Sequence, residues 1–163
     1  MRLLIVRHAI AVAAAAPGIP DADRALTPAG AKKFQAAAKG LAALLEPPNV
    51  LLTSPLLRAR QTAEIAATAW GKVRPRRTPA LAGGSFEELA EVVDAFRAKD
   101  LVAVVGHEPS LSALLARLLG TPQDARLAFK KGGAALVDVP DGLAGGGQLV
   151  WYLPPRLLRA LGE

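Results

Sequence analysis

An α/β fold, with a largely parallel sheet flanked by helices, follows from three short apolar runs and from what comes after each. Leu3 to Val6, the VLLT of residues 50–53 and the LVAVVG of residues 101–106 are brief and almost wholly aliphatic. Runs of that length with no alternating polar residues are strands covered on both faces. Each stops at a turn bearing a polar residue, and helix-like sequence follows. That rhythm of strand, turn and helix is the grammar of a sheet with helices above and below it.

The first run ends abruptly at Arg7-His8. Residues 9–25, with Pro17, Gly18, Pro20, Asp21 and Asp23, read as a loop over the sheet edge, and connections that long are commonly functional. Thr27-Pro28 is an N-cap with proline in the first helical position, and Phe34, Ala37, Ala38, Leu41, Leu44 and Leu45 keep the helical period until Glu46-Pro47-Pro48. After the second strand, Ser54 and Pro55 are a suitable N-cap and first residue for the helix LLRARQTAEIAATAW. That helix would open at the sheet's carboxyl edge, its positive end available to an anion, with Arg58 one turn from Gln61 and Thr62. Residues 71–79 are basic and broken by proline, a surface connection with a short extended piece at Val73.

In SFEELAEVVDAFRAK, residues 85–99, the side chains of Phe86, Leu89, Val92, Val93 and Phe96 fall on an inward helical face, and Ser85 with Glu88 forms a capping-box pattern. The third strand stops at Gly106-His107-Glu108-Pro109-Ser110, before the helix LSALLARLLG. Residues 134–139 and 148–153 are two more strands, joined by PDGLAGGG as a hairpin or wide loop, and Pro154-Pro155 opens a last short helix.

A chain of 163 residues suits one domain spanning 1–163, long enough to bury about 70% of its unfolded surface. Hydrophobic residues make up 52%, which excludes disorder, yet no apolar run approaches the ~20 residues a membrane crossing needs. Without cysteine there is no thiol catalysis and no thiolate metal site. Met1 to Val6 followed by Ala13 to Ala16 imitates a signal peptide, but four apolar residues fall short of an apolar core of ~7–15, so a soluble, cytoplasmic protein is expected. Residues 1–82 carry 12 basic and 4 acidic groups, a balance of +8, whereas residues 83–163 carry 8 and 10, a balance of −2. Such a field attracts anionic substrates or nucleic acid, and an aromatic content of 4% with no stacking platform argues against the latter.

Only two histidines are present, His8 and His107, and both stand at the carboxyl ends of strands, where parallel sheets bind ligands. With Arg7 and Arg58 they make a positive, donor-rich pocket suited to a tetrahedral dianion such as phosphate, whose oxygens match arginine's fixed fork. Two histidines and no adjacent carboxylate pair do not build a metal shell, and no cofactor motif occurs. A side chain must therefore attack the phosphorus. A neutral imidazole can do so, giving a phosphohistidine intermediate that water hydrolyses. The arginines disfavour imidazolium, so activity is expected to persist at mildly acidic pH.

The segments RHA at Arg7 to Ala9, SPLLRARQTAE at Ser54 to Glu64 and GHEPSL at Gly106 to Leu111 resemble the histidine phosphatase, or phosphoglycerate mutase-like, superfamily. The short length, DADRALTPAG at Asp21 to Gly30 and the LVWYLPP near the end are more similar to its SixA-type phosphohistidine phosphatase branch. The resemblance implies a three-layer α/β/α fold with a mixed, mostly parallel sheet. It makes His8 the nucleophile and puts Arg7, Arg58 and His107 around the phosphate, with Ser54 beside them. It also implies a metal-independent phosphohydrolase without cofactors, acting on phosphohistidine in a protein or on a small phosphate ester. Ile10 stands where the family often has an acidic residue, and Glu108 where many members have asparagine, a carboxylate that must be paired or turned away from a dianion. Glu87 and Glu88 are candidates for the general acid, although Glu88 also fits the cap. If neither acts, phosphohistidine is favoured, because its imidazole leaves after easy protonation. The alternatives are a phosphomonoesterase of small molecules and a non-catalytic phosphate- or nucleic-acid-binding module.

Overall fold

The computed structural model describes residues 1–14, 17–71, 73–123 and 125–163; parts of the 9–25 loop and of the 71–79 connection, including Ala15, Ala16 and Lys72, lie outside the described residues. Its centre is a six-stranded sheet in the order β3-β2-β4-β1-β5-β6, formed by β1 (Arg2–Arg7), β2 (Val50–Thr53), β3 (Pro75–Arg77), β4 (Leu101–Gly106), β5 (Ala134–Asp138) and β6 (Gln148–Leu153). The first four strands in that order are mutually parallel, and β5 runs antiparallel to both β1 and β6. The sheet is thus mixed and mostly parallel.

Alternation along the strands supplies two cores. Leu4 and Val6 point to one face, against α1 (Pro28–Leu44), α2 (Leu57–Trp70) and α5 (Pro155–Leu161). Leu3 and Ile5 point to the other, against α3 (Phe86–Val93) and α4 (Ser110–Leu119). All four side chains are essentially inaccessible to water. An α/β/α sandwich results, as expected from apolar runs covered on both faces. At Gly40 the backbones of α1 and α5 approach so closely that a Cβ would lie 1.9 Å from the carbonyl oxygen of Leu158.

The caps at Thr27 and Ser85 form as their sequences predict. Thr27 Oγ1 accepts from Gly30 N, and Ser85 and Glu88 bond reciprocally. Four local expectations are revised. Ser54 does not cap α2, which begins two residues later with Leu56 in the N-cap position and no side-chain cap. Its N–H instead extends the β ladder to the carbonyl of Val105. The extended piece expected at Val73 forms at Pro75–Arg77, where a proline is tolerated because β3 is an edge strand. α3 stops at Val93 rather than reaching Lys99, and the Asp94 carboxylate accepts from Leu143 N, 3.0 Å away. Leu44, assigned to the inward face of α1, is exposed, whereas Leu45 just past the helix is buried.

Candidate active site

The parallel register brings three strand ends together. Arg7 pairs with Gly106 across β1 and β4, and Thr53 pairs with Val105 across β2 and β4. The residues just beyond, His8, His107 and Ser54, are therefore neighbours at one carboxyl edge. The rings of His8 and His107 are 5.1 Å apart between centroids, and His107 Nε2 lies 2.8 Å from Ser54 Oγ. Ser54 Oγ also accepts from Leu56 N, so the hydroxyl expected as a helix cap ties the start of α2 to a histidine.

His8 is held from both sides. Its Nδ1 lies 2.7 Å from the carbonyl oxygen of Ala9, and a carbonyl can only accept. The hydrogen therefore sits on Nδ1, and in the neutral ring the lone pair is on Nε2. The next peptide is fixed by α2, where Thr62 Oγ1 accepts from Ala9 N and donates to the carbonyl of Arg58. Gly132 N donates to the carbonyls of both Arg7 and His8, from a left-handed turn at φ +82° that favours glycine.

The two arginines reach the same edge by different routes. Arg58, from the first turn of α2, is buried, and its guanidinium donates to the Asp21 carbonyl at 2.8 Å and to its carboxylate at 3.3 Å. Arg24 grips the same carboxylate at 2.9 Å. These bonds hold Asp21 below the usual carboxylate range, the Arg24 hydrogen bond contributing most. The loop over the sheet edge is thereby anchored on the site, through a residue 37 positions from Arg58 that no local pattern singles out. Arg7 Nη1 donates to the carbonyl of Phe129. Phe129 N in turn donates to Glu108 Oε1 at 3.2 Å, while Glu108 Oε2 accepts from Ser112 Oγ at 2.6 Å. Arg7 and Glu108 thus hold opposite ends of one residue's backbone. Both oxygens of the carboxylate that stands in place of asparagine are engaged, and its charge supports that of Arg7 against the cost of burial.

Burial is the main cause of the low basicity of both rings. The pKa of His8 falls to about 3, chiefly through desolvation, which outweighs the opposing hydrogen bond to the Ala9 carbonyl, with smaller contributions from the neighbouring His107 ring and the charges of Arg58 and Arg7. That of His107 falls to about 4, again chiefly by burial, with Arg58 next. The arginines thus reinforce the neutral state, whereas the sequence reading credits them with it. Both rings are neutral at physiological pH. An unfolded histidine takes up a proton near 6.5, so the unfolded chain binds more protons than the folded one between pH 6.5 and about 3. Stability should be full above pH 6.5 and decline as pH falls, His8 alone giving a slope of up to about 1.4 kcal/mol per unit. Urea midpoints measured from pH 7.5 to 4.5 check this, and His8→Asn should flatten the curve; a flat wild-type curve contradicts it.

Glu87 and Glu88 are engaged elsewhere. Glu88 closes the α3 capping box, and Glu87 pairs at 3.1 Å with Arg117, whose guanidinium stacks on Phe86. Neither bonds to the histidines or to Arg7 or Arg58.

Sheet order, layers and neighbouring strand ends define a phosphoglycerate mutase-like α/β fold with a cationic, histidine-bearing edge. The chain belongs to the histidine phosphatase superfamily, whose branch 1 model matches residues 3–90. Within that superfamily it is SixA-like. The SixA structure from Agrobacterium tumefaciens is 28% identical with a TM-score of 0.79, over 94% of this chain and 98% of that one. A protein histidine phosphatase SixA complexed with tungstate is 26% identical with a TM-score of 0.82, over 97% and 99%. A protein of Picosynechococcus sp. is 41% identical over 115 residues, 68% of either chain. A mycobacterial glucosyl-3-phosphoglycerate phosphatase, 17% identical with a TM-score of 0.69 over 94% and 98%, shares the fold. Among the described residues, no helix is long and apolar enough to cross a membrane and no group of side chains is arranged to hold a metal.

Proposed function

We propose that this phosphatase hydrolyses phosphohistidine in a protein substrate, with His8 as nucleophile and Arg7, Arg58 and His107 around the phosphoryl group. The observation that carries the reading is the Nδ1 hydrogen bond of His8 to a carbonyl, which leaves a neutral ring with its lone pair on Nε2. In the first step Nε2 attacks phosphorus as the bond to the substrate imidazole breaks, and the departing nitrogen takes a proton from solvent water. In the second, water attacks the phosphoryl group on His8 and releases inorganic phosphate. The two guanidiniums neutralise the equatorial oxygens in both steps. Tungstate, a tetrahedral oxyanion, is bound by a SixA of the same fold, which accords with a pocket for phosphate.

The carboxylates support a phosphoramidate over an alkyl ester. An alkoxide must be protonated by a well-placed acid to leave, an effect of about 10²–10⁴-fold, and an imidazole requires far less. Asp21, Glu87, Glu88 and Glu108 are each occupied as hydrogen-bond or ion-pair acceptors, and Asp21 is held ionised. The test compares kcat/KM on a histidine-phosphorylated peptide with that on glycerol phosphate. The peptide should be preferred by at least about 100-fold. Equal rates, or a preference for the ester, would assign the site to small-molecule phosphomonoesters.

A further inference from the structure

A second cationic site adjoins the first. Lys33 from α1, Lys131 from the segment before β5 and Arg159 from α5 line one small pocket of about 80 Å³, together with Ala9, Ile10 and Gly132. The topology sets this pocket beside His8. β1 ends at the carboxyl edge, α1 and α5 both start there, and β5, antiparallel to β1, begins there. Ile10 follows His8 by two residues, a reach of at most about 7 Å. Gly132, in the same lining, donates its N–H to the His8 carbonyl.

The three cations come from three different elements, and none has an ion-pair partner among the described residues. The three segments that supply these cations carry predominantly one sign of charge. Residues 28–44, 127–133 and 154–163 hold seven basic side chains against the single Glu163. Like charges gathered at a surface without counter-charges repel one another, and an incoming anion removes that cost. Lys33 and Lys131 are exposed and Arg159 is half-buried, and the pocket they line has a volume that suits one carboxylate.

We infer that the Lys33–Lys131–Arg159 pocket receives an aspartate or glutamate side chain flanking the phosphorylated histidine of the protein substrate. This rests on the phosphohistidine reading and adds to it a preference for acidic surroundings, enforced outside the phosphate pocket. Complementary rim charges act chiefly on encounter and specificity, so the effect should appear in kcat/KM and weaken with salt.

The experiment uses two synthetic phosphohistidine peptides that differ only in flanking residues, aspartates in one and asparagines in the other. The wild type should turn over the acidic peptide with about tenfold higher kcat/KM, the sum of several modest ion pairs. In Lys131→Glu/Arg159→Glu the ratio should fall to one or below, and because it is taken within each variant, altered folding cancels. Equal turnover of both peptides by the wild type would overturn the subsite and leave the phosphohistidine reading intact. Failure of both peptides alongside hydrolysis of glycerol phosphate would overturn the two together. Salt-sensitive binding of a single-stranded oligonucleotide, lost in the double variant while the peptide ratio stays at one, would assign the face to nucleic acid instead.

Discussion

His8→Ala should abolish turnover, by about 10⁴-fold or more, because no second nucleophile can replace the residue proposed to form the covalent intermediate. The physical case rests on the ring's two restraints. The Ala9 carbonyl fixes the tautomer, and Thr62, anchored on α2, fixes the Ala9 peptide. With its pKa lowered to about 3, the ring needs no base to be ready for attack. Wild-type enzyme quenched during turnover of a ³²P-labelled substrate should carry acid-labile, base-stable label on the peptide containing His8, and His8→Ala should carry none. Label on the peptide containing His107 would reverse the assignment of the two histidines. The kcat/KM of the wild type should not fall as pH is lowered from 7.5 through 6.5 to 5.5, since that ring stays neutral well into the acid range.

Arg58→Ala should lower kcat by about 10³–10⁵-fold, the range lost when a guanidinium is removed from a phosphoryl-transfer site. Arg58→Lys should recover only part of this, because an ammonium cannot present two parallel donors. The buried guanidinium already spends two contacts on Asp21, which aim it before substrate arrives. An arginine so fixed loses little further freedom on binding, and positioning of this kind is much of what such enzymes contribute. Thermal unfolding of the variant separates lost chemistry from lost fold. A loss below tenfold in a folded Arg58→Ala would remove the residue from the proposed phosphate pocket.

Much of the architecture is legible in the sequence, for a definite reason. Strands buried on both faces are marked by unbroken aliphatic runs, so β1, β2 and β4 are found within a residue or two, and their ends show where His8 and His107 must meet. Caps such as Thr27 and Ser85 are equally visible because they act over three residues. What stays hidden acts over long separations. Asp21 meets Arg58 across 37 positions, and Glu108 meets Phe129 across 21, distances over which no periodicity speaks. Ser54 shows the converse: the local pattern for a cap is sound, but a histidine 53 positions away claims the hydroxyl. β3, three residues with a proline, is foreseen only as a short extended piece two residues too early, and its position is set by the edge that β2 offers.

The shared hold of Arg7 and Glu108 on the backbone of Phe129 makes the site a product of chain regions synthesised far apart. The opening strand can place a guanidinium near the crevice, but its direction is settled only when the stretch ahead of β5 arrives and offers its carbonyl. A partly folded chain, with β5 undocked, would hold both imidazoles and still lack one aimed cation. Competence to bind phosphate should therefore appear late during refolding, together with the protection of β5 amides from hydrogen exchange rather than with those of β1 and β4.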